Sequence, residues 1–505
     1  MNETIDVVIV GAGPVGLLTA IELTLGGARV LVLERLAAAS RAMKALSLGA
    51  LGCEALARRG MTEAIASAEA RSMATMEAFA AQSGVDLRSR ASKFSGHFAG
   101  LALIRRDAQK EPQRRGRAVD QPDLEAMLAD RARSLGIEVR RACEVTRLAQ
   151  RADGVEVAWS APAGGGRAHC AYLVGCDGGR SLVRKLAGFD FPGTAPTMTF
   201  YQAVAEIDPP GCLPSFGWYR TTGGVFAYGP LPGRLFMLDF SGPPADRQAS
   251  VTREEIEAVL RRVSGVDVRV NALESGSRWA DNTRLVDRYR RDRVLLAGDA
   301  AHVHSPFGGQ GLSLGLGDAA NLGWKLAAVI RGEQPDSLLD TYTSERRPVA
   351  EAVMANTLAQ VAILRPDPQA GAMRDLMAHL MQFDEVNRFV GEMMSGLSTR
   401  YDLGSALDEV GRSIGDRPIE RGDGEGSLYA LMQDGRGVFL DASLDGAASG
   451  RVAAATGRVR CIAVERGASM LIRPDACVAW AGDENDMDGL EAALRRWFGS
   501  PAVTA

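Results

Sequence analysis

Three glycine-containing segments, far apart in the chain, carry residue types that suit a nucleotide cofactor. They are residues 11–16 (Gly-Ala-Gly-Pro-Val-Gly), residues 176–181 (Cys-Asp-Gly-Gly-Arg-Ser) and residues 297–302 (Ala-Gly-Asp-Ala-Ala-His). Glycine lets a backbone approach a phosphate closely, and a carboxylate beside it can hold sugar hydroxyls. Each segment alone is a weak signal, but together and in this order they predict a pocket for FAD.

The first segment follows an apolar run, residues 6–10 (Asp-Val-Val-Ile-Val), which predicts a buried parallel strand. Gly11 permits a tight turn, Gly13 lets the backbone approach a pyrophosphate, and Gly16 lets the following helix pack on the strand. That helix is predicted over residues 14–25. Its N-terminus offers unpaired N–H groups and a positive dipole end to the phosphates.

An acidic residue completes this nucleotide-binding pattern. A second apolar strand, residues 29–33, ends at Glu34. Its carboxylate can accept hydrogen bonds from the two ribose hydroxyls of an adenosine, and it would repel a 2′-phosphate. The first segment is therefore not expected to hold NADP.

The third segment ends another predicted strand, residues 293–297, and brings Gly298 and Asp299 to the end of that strand. The carboxylate of Asp299 suits a polyol such as the ribityl chain of FAD. Residues 306–312 (Pro-Phe-Gly-Gly-Gln-Gly-Leu) form a glycine-rich loop that leads into a helix, predicted over 316–331. The positive end of that helix would face the pyrimidine ring of a flavin.

Two other positions have competing interpretations. Asp177 and Gly178 follow a predicted strand, and a turn between domains explains them when they are seen alone. Beside the other two segments, a cofactor role is favoured. His302 could act in catalysis, but its place three residues after Asp299, on a predicted helical turn, favours a structural role.

Composition limits the class of protein. The chain has 505 residues, 46% of them hydrophobic, and a net charge of −4, which gives no electrostatic reason to bind nucleic acid or an anionic membrane. Its apolar runs are interrupted by charge, and its N-terminus enters a strand too early for a signal peptide. Seven cysteines show no CxxC and no metal-ligand spacing, so free thiols, no metal and a cytoplasmic enzyme are expected.

The order of predicted elements divides the chain into three parts. Alternating aromatic-rich strands (216–219, 225–228 and 235–240) and one helix (253–262) predict an α+β domain that forms a wall of the substrate pocket, although each aromatic residue taken singly is better explained as sheet core. The predicted boundaries are 1–180 and 284–398 for the FAD-binding domain, 181–283 for the substrate-binding domain and 399–505 for a C-terminal domain, with 72–106 as an alternative contribution to the substrate-binding domain.

Longer motifs carry a family resemblance that extends over essentially the whole chain. The most specific ones lie at residues 172–181, 183–194, 321–326, 344–346 and 471–480. They resemble the class A FAD-dependent aromatic hydroxylases, which have the para-hydroxybenzoate hydroxylase-like fold, and particularly the bacterial angucycline-type oxygenases of aromatic polyketide and antibiotic biosynthesis. The resemblance implies an α/β protein: a Rossmann-type FAD-binding domain, an α+β substrate domain on a mixed β-sheet, and a thioredoxin-like C-terminal domain without CxxC.

The same resemblance implies individual contacts with FAD. Glu34 would bind ribose, Arg41 would lie near the adenosine or pyrophosphate, Gln121 would reach FAD from the start of its helix, Val145 would lie near the adenine, and Asp299 would hold the diphosphate–ribityl region. Asp177 and Arg180 belong to a motif associated with both FAD and NAD(P)H. The expected cofactor-binding set is Gly11, Gly13, Pro14, Val15, Gly16, Glu34, Arg35, Arg41, Gln121, Val145, Asp177, Gly178, Asp299, Pro306, Gly309, Gly311 and Leu312.

Two departures from the family pattern lie in segments expected near the flavin ring. Ser313 stands where the family commonly has Asn, and residues 50–54 read Ala-Leu-Gly-Cys-Glu where Arg-Thr-x-Glu is usual. Both bear on the outcome of the reaction rather than on FAD binding.

The chemistry that the resemblance implies is oxygen insertion. NAD(P)H reduces FAD, O₂ adds to give a flavin C(4a)-hydroperoxide, and an aromatic substrate such as a phenol gains a hydroxyl; no side chain is assigned as a catalytic base. Baeyer–Villiger or ring-cleaving oxygenation and a non-enzymatic flavoprotein scaffold are the alternatives, and monomer and dimer both stay open. A flavin halogenase is disfavoured, because Trp218 and Trp279 stand alone where Trp-x-Trp-x-Ile would be needed.

Overall fold

The structure is a computed structural model. It describes residues 5–39, 45–82, 84–87, 89, 93–246, 249–421, 424–443, 446–465, 467–483 and 486–499. Arg41, which is predicted to contact FAD, lies outside the described residues.

All three glycine-containing segments directly follow strands of the largest sheet. At its centre the strand Ile5–Val10 pairs in parallel with Val30–Leu33 on one side and with Gly166–Gly175 on the other. The strand Val294–Leu296 continues the parallel sheet beyond Gly166–Gly175. The described strands of this sheet are Ile5–Val10, Val30–Leu33, Glu138–Arg140, Glu144–Gln150, Val155–Ser160, Gly166–Gly175, Arg290–Arg291 and Val294–Leu296. Since the carboxyl ends of parallel strands meet at one edge, the residues after Val10, Leu33 and Leu296 are brought together there.

Two long helices pack closely on this sheet. Pro14–Leu25 lies along Gln310–Ile330, and glycine makes the close approach geometrically allowed: a Cβ at Gly26 would overlap the side chain of Ala327, and one at Gly323 would overlap that of Glu22. The predicted helix end at residues 26–27 is confirmed, because Gly26 is the C-cap.

The helix Gln310–Ile330 begins six residues before its predicted start at residue 316, so the predicted start is wrong. Gly311, Gly315 and Gly317 count against a helix in the sequence, but here they serve packing. A Cβ on Gly315 would lie 2.7 Å from Cγ2 of Val15. Tertiary contact therefore outweighs the low helix propensity of glycine.

The second sheet has five described strands, all antiparallel, in the order Tyr219–Arg220, Val225–Tyr228, Arg234–Asp239, Thr199–Asp208 and Arg269–Ala280. The helix Arg253–Ser264 covers one face through Ile256, Val259, Leu260 and Val263. A strand over 216–219 was expected, yet only Tyr219–Arg220 forms, because Phe216 adopts a positive φ of 59° that ends the extended backbone.

The third sheet lies near the C-terminus. Its described strands run in the order Val459–Ala463, Gly437–Asp441, Ser469–Ile472 and Val478–Gly482, with the first pair parallel and the other two pairs antiparallel. The helices Ala447–Ala455 and Met487–Phe498 pack on it. The sequence predicts strands over residues 437–440, 460–464, 469–472 and 477–480 and a helix over 488–497, and the observed bounds agree to within one or two residues.

Residues 71–106 have a mixed pattern in the sequence, in which residues 94–104 suggest strands. The structure has there the end of a long helix, Thr62–Gln82, and a hairpin of Phe94–Phe98 and Leu101–Arg105. The sequence predicts helix over much of residues 339–397, and the structure has three helices there. The other described helices are Ala50–Ala57, Gln121–Ser134, Leu182–Leu186, Asp340–Leu364, Pro368–Leu380, Asp384–Ser395 and Leu428–Leu431, and short strands pair Arg284–Leu285 with His302–Val303 and Pro418–Arg421 with Gly424–Ser427. Among the described helices, none has the length and apolar character needed to cross a membrane.

Candidate active site

The turn after the first strand is shaped by its glycines as the sequence predicts. Gly11 has a φ of +107°, and a Cβ there would collide with the carbonyl oxygen of Cys176. A Cβ on Gly16 would collide with the carbonyl oxygen of Gly11. Gly13, in contrast, opens on space in which no described atom lies within 4 Å of a Cβ. The turn is thus packed on one side and open on the side where a pyrophosphate would approach.

The three glycine-containing segments meet around the start of the helix Pro14–Leu25. Cys176 contacts Gly11 and Gly16 from the second segment, whereas Gly298 of the third segment lies beside Val15: a Cβ on Gly298 would be 3.0 Å from Cγ2 of Val15. The structure therefore brings together three segments that are separated by more than a hundred residues each in the chain.

Glu34 holds the loop that follows the second strand. Its Oε2 accepts a hydrogen bond from the N–H of Ala12 at 2.7 Å, and its Oε1 accepts one from the N–H of Leu36 at 2.9 Å. An ionised carboxylate offers roughly four acceptor positions, so capacity is left for two ribose hydroxyls. Arg35, beside it, is exposed.

Asp299 is the exposed residue of an otherwise buried turn. It lies in the 3₁₀-helix Gly298–Ala300, directly after the strand Val294–Leu296. The N–H of Gly298 donates to Oδ2 of the buried Asp318 at 3.0 Å, and that contact fixes the turn from below. The Asp299 carboxylate is left on the open side, as required for a polyol ligand.

Asp318 is the centre of a buried polar cluster that the sequence did not reveal. Its Oδ2 also accepts from Nε2 of His302 at 2.7 Å, and its Oδ1 accepts from Nε of Arg346 at 2.8 Å. Burial alone would raise the pKa of Asp318, but His302 and Arg346 outweigh burial and hold that pKa below its usual range. His302 is almost completely buried, which agrees with the structural role favoured from the sequence. It lies in the short strand His302–Val303, so its predicted place on a helical turn is wrong.

The loop of residues 306–312 links the cofactor side to an aromatic surface. Gly309 has a left-handed φ of 62° and precedes Gln310–Ile330 as its N-cap, and no described side chain caps this helix. Gly311 and Leu312 lie in the first turn and Pro306 at the start of the loop; all three are half-buried. The free N–H groups of this first turn suit the carbonyl oxygens of a flavin ring.

The aromatic surface is one face of the second sheet. Phe200, Phe236 and Trp279 pack together on it, and Phe307 from the glycine-rich loop joins them, with ring centroids 6.0 Å from Phe200 and 6.3 Å from Phe236. Trp218 completes the cluster at 5.3 Å from Phe307. We name these five side chains the aromatic wall. Most of the rings are tilted towards one another; Phe200 and Phe307 are buried, whereas Trp218, Phe236 and Trp279 are half-buried.

One carboxylate oxygen of Asp177 accepts hydrogen bonds, whereas the other has no partner among the described residues. Its Oδ2 accepts from the N–H groups of Leu182 and Val183 at 2.7 and 3.1 Å and so caps the helix Leu182–Leu186. Its Oδ1 is buried and has no partner among the described residues. Gly178 follows with a φ of +78°. A buried acceptor without a partner is unfavourable, and within the described part of the chain no donor reaches it.

Two other predicted contacts have partners within the protein. The side-chain amide of Gln121, at the start of its helix, donates to Glu125 at 2.8 Å. Val145 is buried in the strand Glu144–Gln150, two residues after Cys143, whose N–H donates to the carbonyl of Glu34. Gln121 is the first residue of its helix, and Val145 is the second residue of its strand. Their contacts with FAD stay predictions.

The two departures from the family pattern touch each other. The N–H of Gly49, the N-cap of the helix Ala50–Ala57, donates to Oγ of Ser313 at 3.1 Å. The helix Ala50–Ala57 packs on the first turns of Gln310–Ile330. The unusual residues therefore form one local contact between two helices.

The residues of the site fit FAD. Gly13 leaves open space where the diphosphate would approach, Asp299 presents a carboxylate on the open side, and Asp177 has a buried acceptor without a partner in the described part of the chain. Asp318 and Arg346 were missed because they support the site from within; a carboxylate in an apolar helix, at Asp318, is the signal that could have found them. No group of acidic, histidine or cysteine side chains suited to a metal occurs among the described residues.

Comparison with known proteins identifies the family. The family model for an FAD binding domain matches residues 4–357, and that for the C-terminal part of aromatic-ring hydroxylases matches residues 408–501. A 12-dehydrotetracycline 5-monooxygenase/anhydrotetracycline 6-monooxygenase of Streptomyces rimosus is 40% identical, with 99% of each chain covered.

Two solved structures share the fold over nearly the whole chain. OxyS anhydrotetracycline hydroxylase from Streptomyces rimosus superposes with a TM-score of 0.86 at 39% identity, covering 98% of this chain and 99% of that one. CabE, an aromatic hydroxylase from angucycline biosynthesis, gives 0.84 at 33% identity, covering 99% and 100%. The chain is therefore a mixed α/β protein of the class A FAD-dependent aromatic hydroxylase family, and it is an FAD-dependent monooxygenase.

Proposed function

We propose that this enzyme uses NAD(P)H and O₂ to insert one oxygen atom into a polycyclic aromatic polyketide or another phenolic substrate. The observation that carries the proposal is the loop of residues 306–312. Phe307 belongs to the aromatic wall, while Gly309 begins the helix whose first turn suits a flavin. A flat aromatic substrate and the cofactor would therefore share one loop. Related proteins named for anhydrotetracycline and angucycline chemistry support this substrate class.

We assign the cofactor contacts as follows. Gly13 and the first turn of Pro14–Leu25, including Val15, would hold the diphosphate, Glu34 the ribose, Asp299 the ribityl chain, and Gly309, Gly311 and Leu312 the ring. When bound, FAD supplies the electron transfer and the activation of oxygen. The remaining members of the sequence-predicted set stay predicted contacts with FAD: Gly11, Gly16, Arg35, Arg41, Gln121, Val145, Asp177, Gly178 and Pro306.

The protein's own contribution is geometry and exclusion of water. The Asp318 cluster fixes the turn that carries Asp299, and the half-buried rings of the aromatic wall would offer apolar contacts to an aromatic substrate. Burial, followed by the charge of Arg374, lowers the pKa of His97, beside Trp218, to about 4, so His97 is a poor base at neutral pH. We assign no catalytic base; an acidic polyphenol needs little help to ionise.

We also propose the domain boundaries 1–180 and 284–398 for a Rossmann-type FAD-binding domain, 181–283 for the substrate-binding domain, and 399–505 for a thioredoxin-like domain without CxxC. The parallel and antiparallel pairs of the C-terminal sheet support the last assignment. Residues 72–106 contribute to the substrate-binding domain: the ring of Phe79 lies 5.3 Å from Phe216 and 5.8 Å from Tyr228.

The test is a screen of polyphenolic polyketides with the purified flavoprotein. We expect one class of compound to accelerate NAD(P)H oxidation and to gain a single oxygen atom that derives from ¹⁸O₂, as measured by mass spectrometry. NAD(P)H oxidation across the whole screen without any product that gains oxygen would contradict the proposal.

Baeyer–Villiger oxygenation is the second candidate, because the contact of Ser313 with Gly49 lies in a segment expected near the flavin. The same ¹⁸O₂ experiment separates the two reactions. Hydroxylation places the label in a phenol, whereas Baeyer–Villiger chemistry places it within a new ester or lactone.

A further inference from the structure

An open cleft lies between the helix Pro368–Leu380 and the edge of the second sheet. Its volume is about 560 Å³. The strand Tyr219–Arg220 is the last strand at that edge and lines one side of the cleft, whereas the helix lines the other side through Arg374 and Asp375. Because the cleft opens to solvent, a ligand can reach its lining without a change in the fold.

Two arginines of the cleft have backbone carbonyls as their hydrogen-bond partners. Arg220 donates through Nε and Nη2 to the carbonyl oxygens of Arg365 and Asp367, and Arg374 donates through Nη1 to the carbonyl oxygen of Ala99. Among the described residues, neither guanidinium forms an ion pair with a carboxylate. A guanidinium group has five N–H donors, so each arginine keeps donors beyond those that hold the helix in place.

The two guanidinium groups give the cleft an excess of positive charge. Burial, followed by the charge of Arg220, lowers the pKa of Arg374, so the two cations act on each other. Asp375 opposes this effect, but it is exposed, and among the described residues of the lining it is the one carboxylate. Since arginine stays protonated at neutral pH, an anion between the two side chains would relieve their repulsion.

Trp218 connects the cleft to the aromatic wall. It lines the cleft, and its ring lies 5.0 Å from that of Phe236 and 5.3 Å from that of Phe307. A ligand ring beside Trp218 would therefore lie at the wall, while a substituent at its edge would reach Arg220 or Arg374. Guanidinium groups favour planar anions that accept two parallel hydrogen bonds, such as carboxylates.

We propose that Arg220 and Arg374 bind a carboxylate or an ionised enol at the edge of an aromatic substrate whose rings lie at the aromatic wall. The inference rests on the proposed function and deepens it, because it narrows the substrate class to acidic aromatic compounds. The two arginines are then specificity-determining residues, and a neutral compound of the same shape binds less tightly.

The test compares anthraquinone-2-carboxylate with anthraquinone-2-carboxamide, which has nearly the same shape and no charge. Both are titrated into the holoenzyme, with the absorption spectrum of the flavin as the readout. The wild type should bind the acid about ten- to hundredfold more tightly, the range of one hydrogen bond to a charged group. Arg220→Met and Arg374→Met should each reduce this preference to about threefold or less. Arg374→Lys, which keeps the charge, should retain part of it.

Arg253→Met is the matched control. Arg253 also donates to a backbone carbonyl oxygen of the second sheet, that of Val270 at 2.9 Å, but it belongs to the helix Arg253–Ser264 and lies outside the described lining of the cleft. Its replacement removes one positive charge and should leave the preference for the acid unchanged. Circular dichroism and the flavin content of each variant check that it is folded.

Three results would overturn the inference. The first is equal affinity of the wild type for the acid and the amide, and the second is a full preference for the acid in the folded Arg220→Met and Arg374→Met variants. The third is a raised KM for NAD(P)H in these variants with unchanged affinity for the acid, which would assign the cleft to the phosphates of the coenzyme. A substrate screen without any oxygenated product would instead contradict the proposed function, since the titration requires no turnover.

Discussion

The side chains behind the turn Gly298–Ala300 are charged, whereas those of the aromatic wall are apolar. Behind the turn, Asp318, Arg346, Glu345 and Arg473 are buried charges with short hydrogen bonds to one another or to the backbone. In the aromatic wall, Phe236 and its neighbours touch through ring contacts without a fixed donor and acceptor.

Because of this difference, we expect the two regions to tolerate amino-acid substitutions to different degrees. A buried ion pair is stable only with its partner in place, because a lone charge in the interior is strongly unfavourable. Apolar contacts depend on area and shape rather than on direction, so they tolerate replacement by side chains of similar size. The residues around Asp318 are therefore expected to be rigid, whereas the aromatic wall is expected to tolerate substitution.

The buried ion pairs join the C-terminal region to the long helices. Arg473 donates to both carboxylate oxygens of Glu345, at 2.9 and 2.8 Å, and also to Asp475. Lys325 donates to Glu345 at 2.9 Å, although burial lowers the pKa of this lysine to about 8. Arg346, the next residue after Glu345, donates to the hydroxyl oxygen of Tyr401 at 3.0 Å. The helix Asp340–Leu364 thus contacts both the C-terminal region and Asp318, the residue that holds the turn Gly298–Ala300.

The largest effect is expected from Arg473→Met. The substitution keeps an apolar stem but leaves Glu345 and Asp475 buried with too little positive charge. The free energy of unfolding in urea should fall by about 3–5 kcal/mol. Arg133→Met is the control, since Arg133 pairs with Asp130 at the surface, where the side chains are 76% and 71% exposed. Similar losses for both variants would contradict the comparison.

A smaller effect is expected in the aromatic wall from Phe236→Leu. Its ring lies 5.0 Å from that of Trp218. The KM for the aromatic substrate should rise about three- to tenfold, from the loss of ring contacts worth about 0.5–1.5 kcal/mol, with FAD affinity unchanged. Phe226→Leu, on the opposite face of the sheet against Tyr219, should lower stability comparably and leave KM unchanged. A KM that moves equally in both variants would show that the two faces are not distinct.

The next effect is a pH dependence that arises at His97. Burial, with Arg374, lowers the pKa of folded His97 from its ordinary value of 6.5 to about 4. As the pH falls from 6.5 towards 4, the unfolded chain takes up a proton that the folded chain does not, so stability falls. Between pH 6.5 and 5.0 the wild type should lose about 1 kcal/mol more than His97→Gln in urea unfolding. An identical loss would remove His97 as the cause.

The smallest effect is expected from Ser313→Ala, which removes the acceptor for the N–H of Gly49. One hydrogen bond is worth about 0.5–1.5 kcal/mol. Thermal unfolding should show a decrease at the low end of this range, because the contact is only partly buried. A loss above about 2 kcal/mol would place this contact with the buried ion pairs instead.

The sequence predicted the parts of the fold whose causes are local. Gly11 lies in a predicted turn and Gly26 follows a predicted helix, and both are set by the residues next to them in the chain. The predicted start of Gln310–Ile330 was wrong, because a glycine of its first turns, Gly315, serves packing against Val15. The Asp318 cluster was missed because His302 and Arg346 lie 16 and 28 residues away from Asp318, with no local pattern. The contacts with FAD and the domain boundaries stay predictions.

A crystal structure of the FAD complex tests the central claim most directly. The account predicts the diphosphate over Gly13, the ribityl chain beside Asp299, and the flavin ring between the first turn of Gln310–Ile330 and the aromatic wall. A flavin ring bound away from both residues 306–312 and Phe236 would contradict it.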